Sequence, residues 1–375
     1  MSRATRQPAS PPAEQDPFAP RRNPDLIGHE AAEHTLLDAW NSGRLPHAWL
    51  IGGPPGIGKA TLAYRFARFV LAQGADSAGA PGLFGEPERP ASLAVAPETP
   101  VFRRVASGGH ADLLTVERQR DEKKGRLKRD IAVDDVRKIA PFLHKTAGEG
   151  GWRVAVIDGA DRMNTSGLNA ILKILEEPPP RALLLLVSEN PGGMLPTIRS
   201  RCRKLALHPL PEAAVVDLLT RYRPDLAEGD RAALARLAEG SIGRAVALAD
   251  AGGLDLYRDL MGLLSTLPTL DVSAAYAFGE KLTRGADDGT YETATDLLVW
   301  WLARFARSLA RGALPDEVVP GEAALMTRLA AARGLDRWVE VWEKVGRQFA
   351  RAESANLDRK QVVVNALLTL EAAAT

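Results

Sequence analysis

The run Gly53-Pro54-Pro55-Gly56-Ile57-Gly58-Lys59-Ala60 has the residue types and spacing of a phosphate-binding loop. Its glycines let backbone N–H groups close around phosphate oxygens, a helix opening at the lysine adds the positive end of its dipole, and Lys59 adds a point charge. ATP with Mg²⁺ is the ligand expected of such a loop. The last position departs from the pattern: Ala60 stands where a Ser or Thr hydroxyl would hold the metal, and Thr61, one residue late, is turned by about 100° on a helix. Weak nucleotide and Mg²⁺ binding is therefore the expectation, with a ligand-free glycine-rich turn as the alternative. Asp158 closes the strand-like run Arg153-Val154-Ala155-Val156-Ile157, the place of a metal-coordinating acid, a turn carboxylate being the alternative. The next position, where a water-polarising acid belongs, is Gly159. General-base help is worth about 10²- to 10⁴-fold in rate, so little turnover is expected, with Asp161 the one nearby substitute.

Buried strands and amphipathic helices must hold these residues. His47–Ile51 reads as a strand running into the glycine-rich loop, and 112–116, 153–158, 182–187 and 204–207 read as further strands. Between them, Leu62, Phe66, Phe69 and Val70 mark one helix, and Val136, Ile139, Ala140 and Leu143 another. Leu168, Ile171, Leu172 and Leu175 mark a third, stopped by Pro178-Pro179-Pro180. Unbroken apolar strands alternating with helices predict an α/β fold, a doubly wound parallel sheet covered on both faces. Residues 1–22 read as a disordered tail and 23–208 as the nucleotide-binding domain, with 73–110, rich in Ala, Gly, Pro and Ser, as an irregular insertion. Residues 118–129 carry seven basic side chains against two acids. They read as a solvated loop, or as one that touches phosphates. Past Pro209 three short helices form a small second unit to residue 252. From 253 to 375 the spacing is helical throughout, and Trp300, Trp301, Trp338 and Trp342 there are assigned to core or interface packing.

Composition narrows the function classes. With 375 residues, 45% apolar and 25% charged, the chain is a multi-domain globular protein, and its net charge of +1 predicts no partner. The lone Cys202 excludes an internal disulfide and a four-thiolate zinc site, and it fits a reducing cytoplasm. The six histidines show no metal-ligand spacing, so no zinc is expected. No stretch of eighteen apolar residues predicts a membrane span.

The segment Asn169-Ala170-Ile171-Leu172-Lys173-Ile174-Leu175-Glu176-Glu177-Pro178-Pro179, followed by Thr197-Ile198-Arg199-Ser200-Arg201-Cys202, resembles the clamp-loader branch of the AAA+ ATPases, the subunits that serve bacterial DNA polymerase III. The likeness covers about 25–250, and Asn356–Lys360 looks like the end of that family's C-terminal collar. It implies a P-loop domain, a small helical lid at 209–252 and a helical oligomerisation collar at 253–375. It also implies a hetero-oligomeric ring with other clamp-loader subunits, working with the polymerase III holoenzyme to place a sliding clamp on primed DNA. By this resemblance Arg201 matches an arginine finger directed at ATP held by a neighbouring subunit, and Ser188 to Asn190 match the polar γ-phosphate sensor. Gly240–Arg244 match the second sensor loosely, with Gly243 where active relatives place arginine and Arg244 one residue on. The cysteine-free stretch 73–110 stands where many relatives carry a zinc module. A motor subunit of the same assembly and an independent P-loop nucleotide kinase are the competing readings. Ala60 and Gly159 count against the first, and the setting of Arg201 together with the long helical tail counts against the second.

Overall fold

The computed structural model describes residues 16, 18–76, 89–119, 127–149, 151–284, 289–355 and 357–375. Most of the expected tail, the centre of the 73–110 stretch, residues 120–126 of the basic segment and Asn356 lie outside them. The chain divides into two compact units, 1–214 with 240–243, and 215–239 with 244–375.

The first unit is built on a five-stranded parallel sheet. Its strands are β1 (Ala48–Gly52), β2 (Leu113–Val116), β3 (Arg153–Asp158), β4 (Ala182–Ser188) and β5 (Arg203–Ala206), in the order β2-β3-β4-β1-β5. Alternate residues explain the unbroken apolar runs. Trp49, Ile51, Val154, Val156, Leu183 and Leu185 pack on one face with Leu36, Phe66, Phe69 and Val70 of α1 (Glu30–Asn41) and α2 (Lys59–Asp76). Leu50, Ala155, Ile157, Leu184 and Leu186 pack on the other. There they meet the short helices α4 (Val133–Arg137) and α5 (Ile139–Leu143) through Val136, Ile139 and Leu143, and α6 (Thr165–Glu176) and α7 (Pro196–Arg201) through Ile171, Ile174, Leu175 and Ile198. The three inner strands β1, β3 and β4 are buried on both faces and need apolar residues at nearly every position, whereas the edge strand β5 exposes Arg203, Lys204 and Ala206.

Three local expectations change. The stretch 73–110 is not irregular throughout: α2 continues to Asp76, and α3 (Pro100–Ser107) forms inside it. Thr99 caps α3 by accepting from the Phe102 N–H at 3.3 Å, Pro100 opens it, and Val101, Phe102 and Val105 are buried. The expected helix around 136–143 is two pieces, because Pro141 has no N–H to return to the carbonyl of Arg137. The end of the expected tail and the residues after it are fastened to α2: Arg68 donates to the carbonyls of Arg21 in the tail (3.0 Å) and Asn23 just beyond it (2.8 Å), and Arg65 to that of Pro24 (2.6 Å).

No strand occurs in the second unit among the described residues. Its helices are α8 (Glu212–Tyr222), whose first residues belong to the first unit, α9 (Glu228–Ala238), α10 (Ile242–Asp250), α11 (Gly253–Ser265) and α12 (Val272–Thr283). They continue as α13 (Gly289–Arg311), α14 (Glu322–Ala332), α15 (Leu335–Ala355) and α16 (Arg359–Ala374). The helices expected as a lid and those expected as a collar fall together in this unit, apart from 209–214 and 240–243. Arg258 pairs with Asp230, Arg307 with Glu239 at 2.9 Å, and Arg236 donates to the Glu317 carbonyl at 2.9 Å. Trp300, Trp301 and Trp338 are buried within the chain itself, with Trp338 edge-on to Phe305 at 5.1 Å. A buried Glu322 carboxylate is satisfied by the Tyr257 hydroxyl (2.6 Å), the Val318 N–H (2.8 Å) and the Arg304 guanidinium.

Candidate functional site

Because the strands are parallel and adjacent, the ends of β1, β3 and β4 bring the glycine-rich loop, Asp158 and Ser188 to one edge of the sheet, where open α/β sheets bind ligands. The loop leaves β1 with the Gly53 N–H donating to the Ser188 carbonyl at 3.3 Å and enters α2 at Lys59. Among the described residues no carbonyl accepts from the N–H groups of Gly56, Ile57 or Gly58. Such a set of unpaired donors at the start of an eighteen-residue helix suits an anion. Lys59 is buried, and its ammonium donates to the carbonyl of Pro54. Burial lowers its pKa, opposed by the carboxylates of Glu189, Asp158 and Asp161.

Metal chemistry is poorly served. Ala60 offers no donor atom, and Asp158 is pushed up from 3.8 to about 6, chiefly by burial and then by the Glu117 carboxylate, with Lys59 acting the other way. No group of three or more His, Cys, Asp or Glu able to hold a metal occurs among the described residues. Asp161 is committed elsewhere: its Oδ1 accepts from the Glu189 N–H at 2.9 Å and its other oxygen lies 3.7 Å from Arg162. Gly159 has φ of 85°, a left-handed conformation that an L-carboxylate side chain adopts only with strain.

The remaining expected residues divide. Ser188 is fully buried at the end of β4 with no hydrogen-bond partner for its Oγ among the described residues. Asn190 uses its side-chain oxygen to accept from the Gly193 N–H at 3.1 Å, capping a short 3₁₀ turn. Thr61 is buried on α2. Arg244 lays its guanidinium over the Trp300 ring at 5.8 Å, and Gly243 is the residue at the loop. The Gly243 N–H donates to the Gly56 carbonyl at 2.9 Å, and a Cβ on Gly243 would stand 2.9 Å from the Gly56 Cα. No side chain fits there without moving the loop.

Arg201 ends α7. Its backbone is set by buried Ile198 and Cys202, and its side chain, 36% exposed, reaches the Glu176 carboxylate at 2.9 Å and the Thr197 carbonyl at 3.0 Å. Burial pushes the neighbouring Cys202 thiol up to about 12, so it stays protonated.

Four contacts at these residues carried no signal in the chain. His29 Nε2 donates to the Ile57 carbonyl at 2.6 Å, Ser241 Oγ to the Pro55 carbonyl at 2.9 Å, Gly243 closes on Gly56, and Glu176 meets Arg201. The first three hold the loop carbonyls turned outward, leaving its N–H groups without a carbonyl partner. No helix among the described residues is long and apolar enough to cross a membrane.

A family model described as DNA polymerase III, delta subunit, matches residues 28–211. The delta' subunit of DNA polymerase III from Pseudomonas aeruginosa is 38% identical over 180 residues, covering 48% of this chain and 48% of that protein. The delta' subunit from Escherichia coli is 33% identical over 213 residues, 57% of each chain. The gamma/tau subunit from Mycobacterium bovis is 27% identical over 374 residues, 93% of this chain and 57% of that protein. The match spans about half the length of the curated relatives. The matched residues hold the parallel sheet, the glycine-rich loop, α6 and the Ser200-Arg201-Cys202 turn, so over residues 28–211 the chain matches the family model of the DNA polymerase III delta subunit and is similar to the delta' subunits.

Proposed function

We propose that this chain is a delta'-type subunit of a polymerase III clamp loader that presents Arg201 to ATP held by a neighbouring subunit and does not itself run the ATP cycle. It assembles with other clamp-loader subunits and the polymerase III holoenzyme, and through that complex supports loading of the sliding clamp onto primed DNA. DNA synthesis belongs to the complex. The observation that carries the reading is Arg201: an arginine set between buried Ile198 and Cys202 with its side chain 36% exposed, in a chain whose own site lacks the hydroxyl and the acid that hydrolysis needs. A planar, permanently charged fork makes paired hydrogen bonds to phosphate oxygens and stabilises charge that develops on a transferring phosphoryl group.

The chain's own loop fits phosphate better than it fits metal. The N–H groups of Gly56, Ile57 and Gly58 and the Lys59 ammonium are the groups that would hold a nucleotide's phosphates, with Ser188 the polar side chain at the adjoining strand end. Asp158 is the carboxylate at the strand end that would meet Mg²⁺, the ion that would neutralise phosphate charge. Nucleotide binding is therefore weak and hydrolysis negligible. Steady-state ATP hydrolysis by the isolated chain with primed DNA present tests this. Turnover near one per second or faster, an ordinary enzyme rate, that disappears in Lys59→Ala would overturn it.

A further inference from the structure

We propose that Glu176 is a positioning residue for Arg201, holding one edge of the guanidinium so that the rest of the fork faces the neighbouring subunit's phosphate; this rests on the finger reading of Arg201. An arginine on a six-residue helix end samples many rotamers unless its head is held. Two acceptors hold it. The Glu176 Oε1 takes Nη2 at 2.9 Å and the Thr197 carbonyl takes Nη1 at 3.0 Å, so two of the five guanidinium N–H donors are used and about three remain for phosphate. Both acceptors sit on fixed backbone. Glu176 is the last residue of α6, whose end is pinned to the sheet by buried Ile174 and Leu175 and is followed at once by the Pro178-Pro179-Pro180 stop. Thr197 lies one turn back on α7, beside buried Ile198.

The pair joins two helices, unlike the one-turn pairs Arg137–Asp134, Arg221–Asp217 and Arg347–Glu343, each of which binds an arginine to its own helix. The fork's orientation is thereby referred to α6 and the sheet as well as to the short α7. Glu176 remains 52% exposed, so the hold is soft enough for a phosphate to share the guanidinium.

The test is a double-mutant cycle in the reassembled clamp loader, reading kcat and KM for DNA-stimulated ATP hydrolysis. Glu176→Ala should lower kcat by about two- to five-fold, the range of an exposed ion pair, with the KM for ATP and assembly unchanged. Glu176→Gln, which keeps an acceptor oxygen without the charge, should fall between wild type and Glu176→Ala. In the Arg201→Ala background Glu176→Ala should change nothing further. If Arg201→Ala lowers kcat while Glu176→Ala leaves it unchanged, raises it, or lowers it equally in both backgrounds, the positioning role is wrong and the finger stands. If Arg201→Ala leaves kcat unchanged, the finger reading itself falls, and the positioning role with it.

Discussion

Replacing Asp158 by asparagine should stabilise the first unit above pH 6 and leave it nearly unchanged near pH 4. The carboxyl sits at the end of β3, where burial and the Glu117 carboxylate raise it from 3.8 to about 6. Between those values the folded chain keeps a proton that the unfolded chain has released, so stability falls as pH rises through the window and levels off above it. A tenfold difference in proton affinity between the folded and unfolded chain is worth about 1.4 kcal/mol, which puts the full loss at about 3 kcal/mol as an upper bound. Asparagine is neutral at every pH and escapes the loss. In a unit of this size that corresponds to a rise of about 5–10 °C in Tm at pH 7.5, fading as the pH approaches 4. Urea denaturation across pH 4–8 reads the effect, with amide exchange in β1, β3 and β4 assigning the transition to the first unit. An asparagine variant that is less stable than wild type at pH 7.5, or equally altered at every pH, would refute the reasoning.

Gly243→Arg would place an arginine where the resemblance expects a second sensor, yet it should fail to create a working one. The new Cβ meets Gly56 Cα at 2.9 Å, so the loop must shift at a cost of about 1–3 kcal/mol, visible as a lowered denaturation midpoint without gained ATP turnover. Arg304→Met should destabilise the second unit by about 3–5 kcal/mol, because Glu322 is left as a buried carboxylate without its cation. Adding Glu322→Gln to that variant should recover part of the loss in the same denaturation assay.

Much of the fold is legible in the chain because the sheet is buried on both faces. An apolar run such as Ala182–Val187 has no other stable use, and the expected strands match β1 to β5 within a residue at each end. Helix α3 was hidden by composition: Pro100 and Gly108 read as loop residues, whereas here they open and close a helix. The glycine-rich loop was legible in local spacing, and Arg201 stood out only through the resemblance of the segment around it. Their partners were not legible. His29 and Ser241 reach the loop from far along the chain, and a hydrogen bond to a carbonyl demands no particular residue type that a pattern could register. Glu176 lay inside the segment that carries the resemblance, but only the packing of α6 beside α7 shows which of Glu176 and Glu177 meets the arginine. The four tryptophans showed helical burial without showing against what, and three of them turn inward.

The central claim, that this chain donates an arginine and does not drive the motor, is tested most directly by rebuilding the clamp loader with either Arg201→Ala or Lys59→Ala in this chain alone. DNA-stimulated ATP hydrolysis and clamp loading are then compared for the two. Arginine fingers are worth about 10³ to 10⁵ in rate in well-studied GTPases. With only the adjoining site silenced, Arg201→Ala should clearly reduce both activities while the complex still assembles, and Lys59→Ala should leave both near wild type. The reverse pattern, with Lys59→Ala damaging and Arg201→Ala silent, would make this chain a motor subunit and contradict the account.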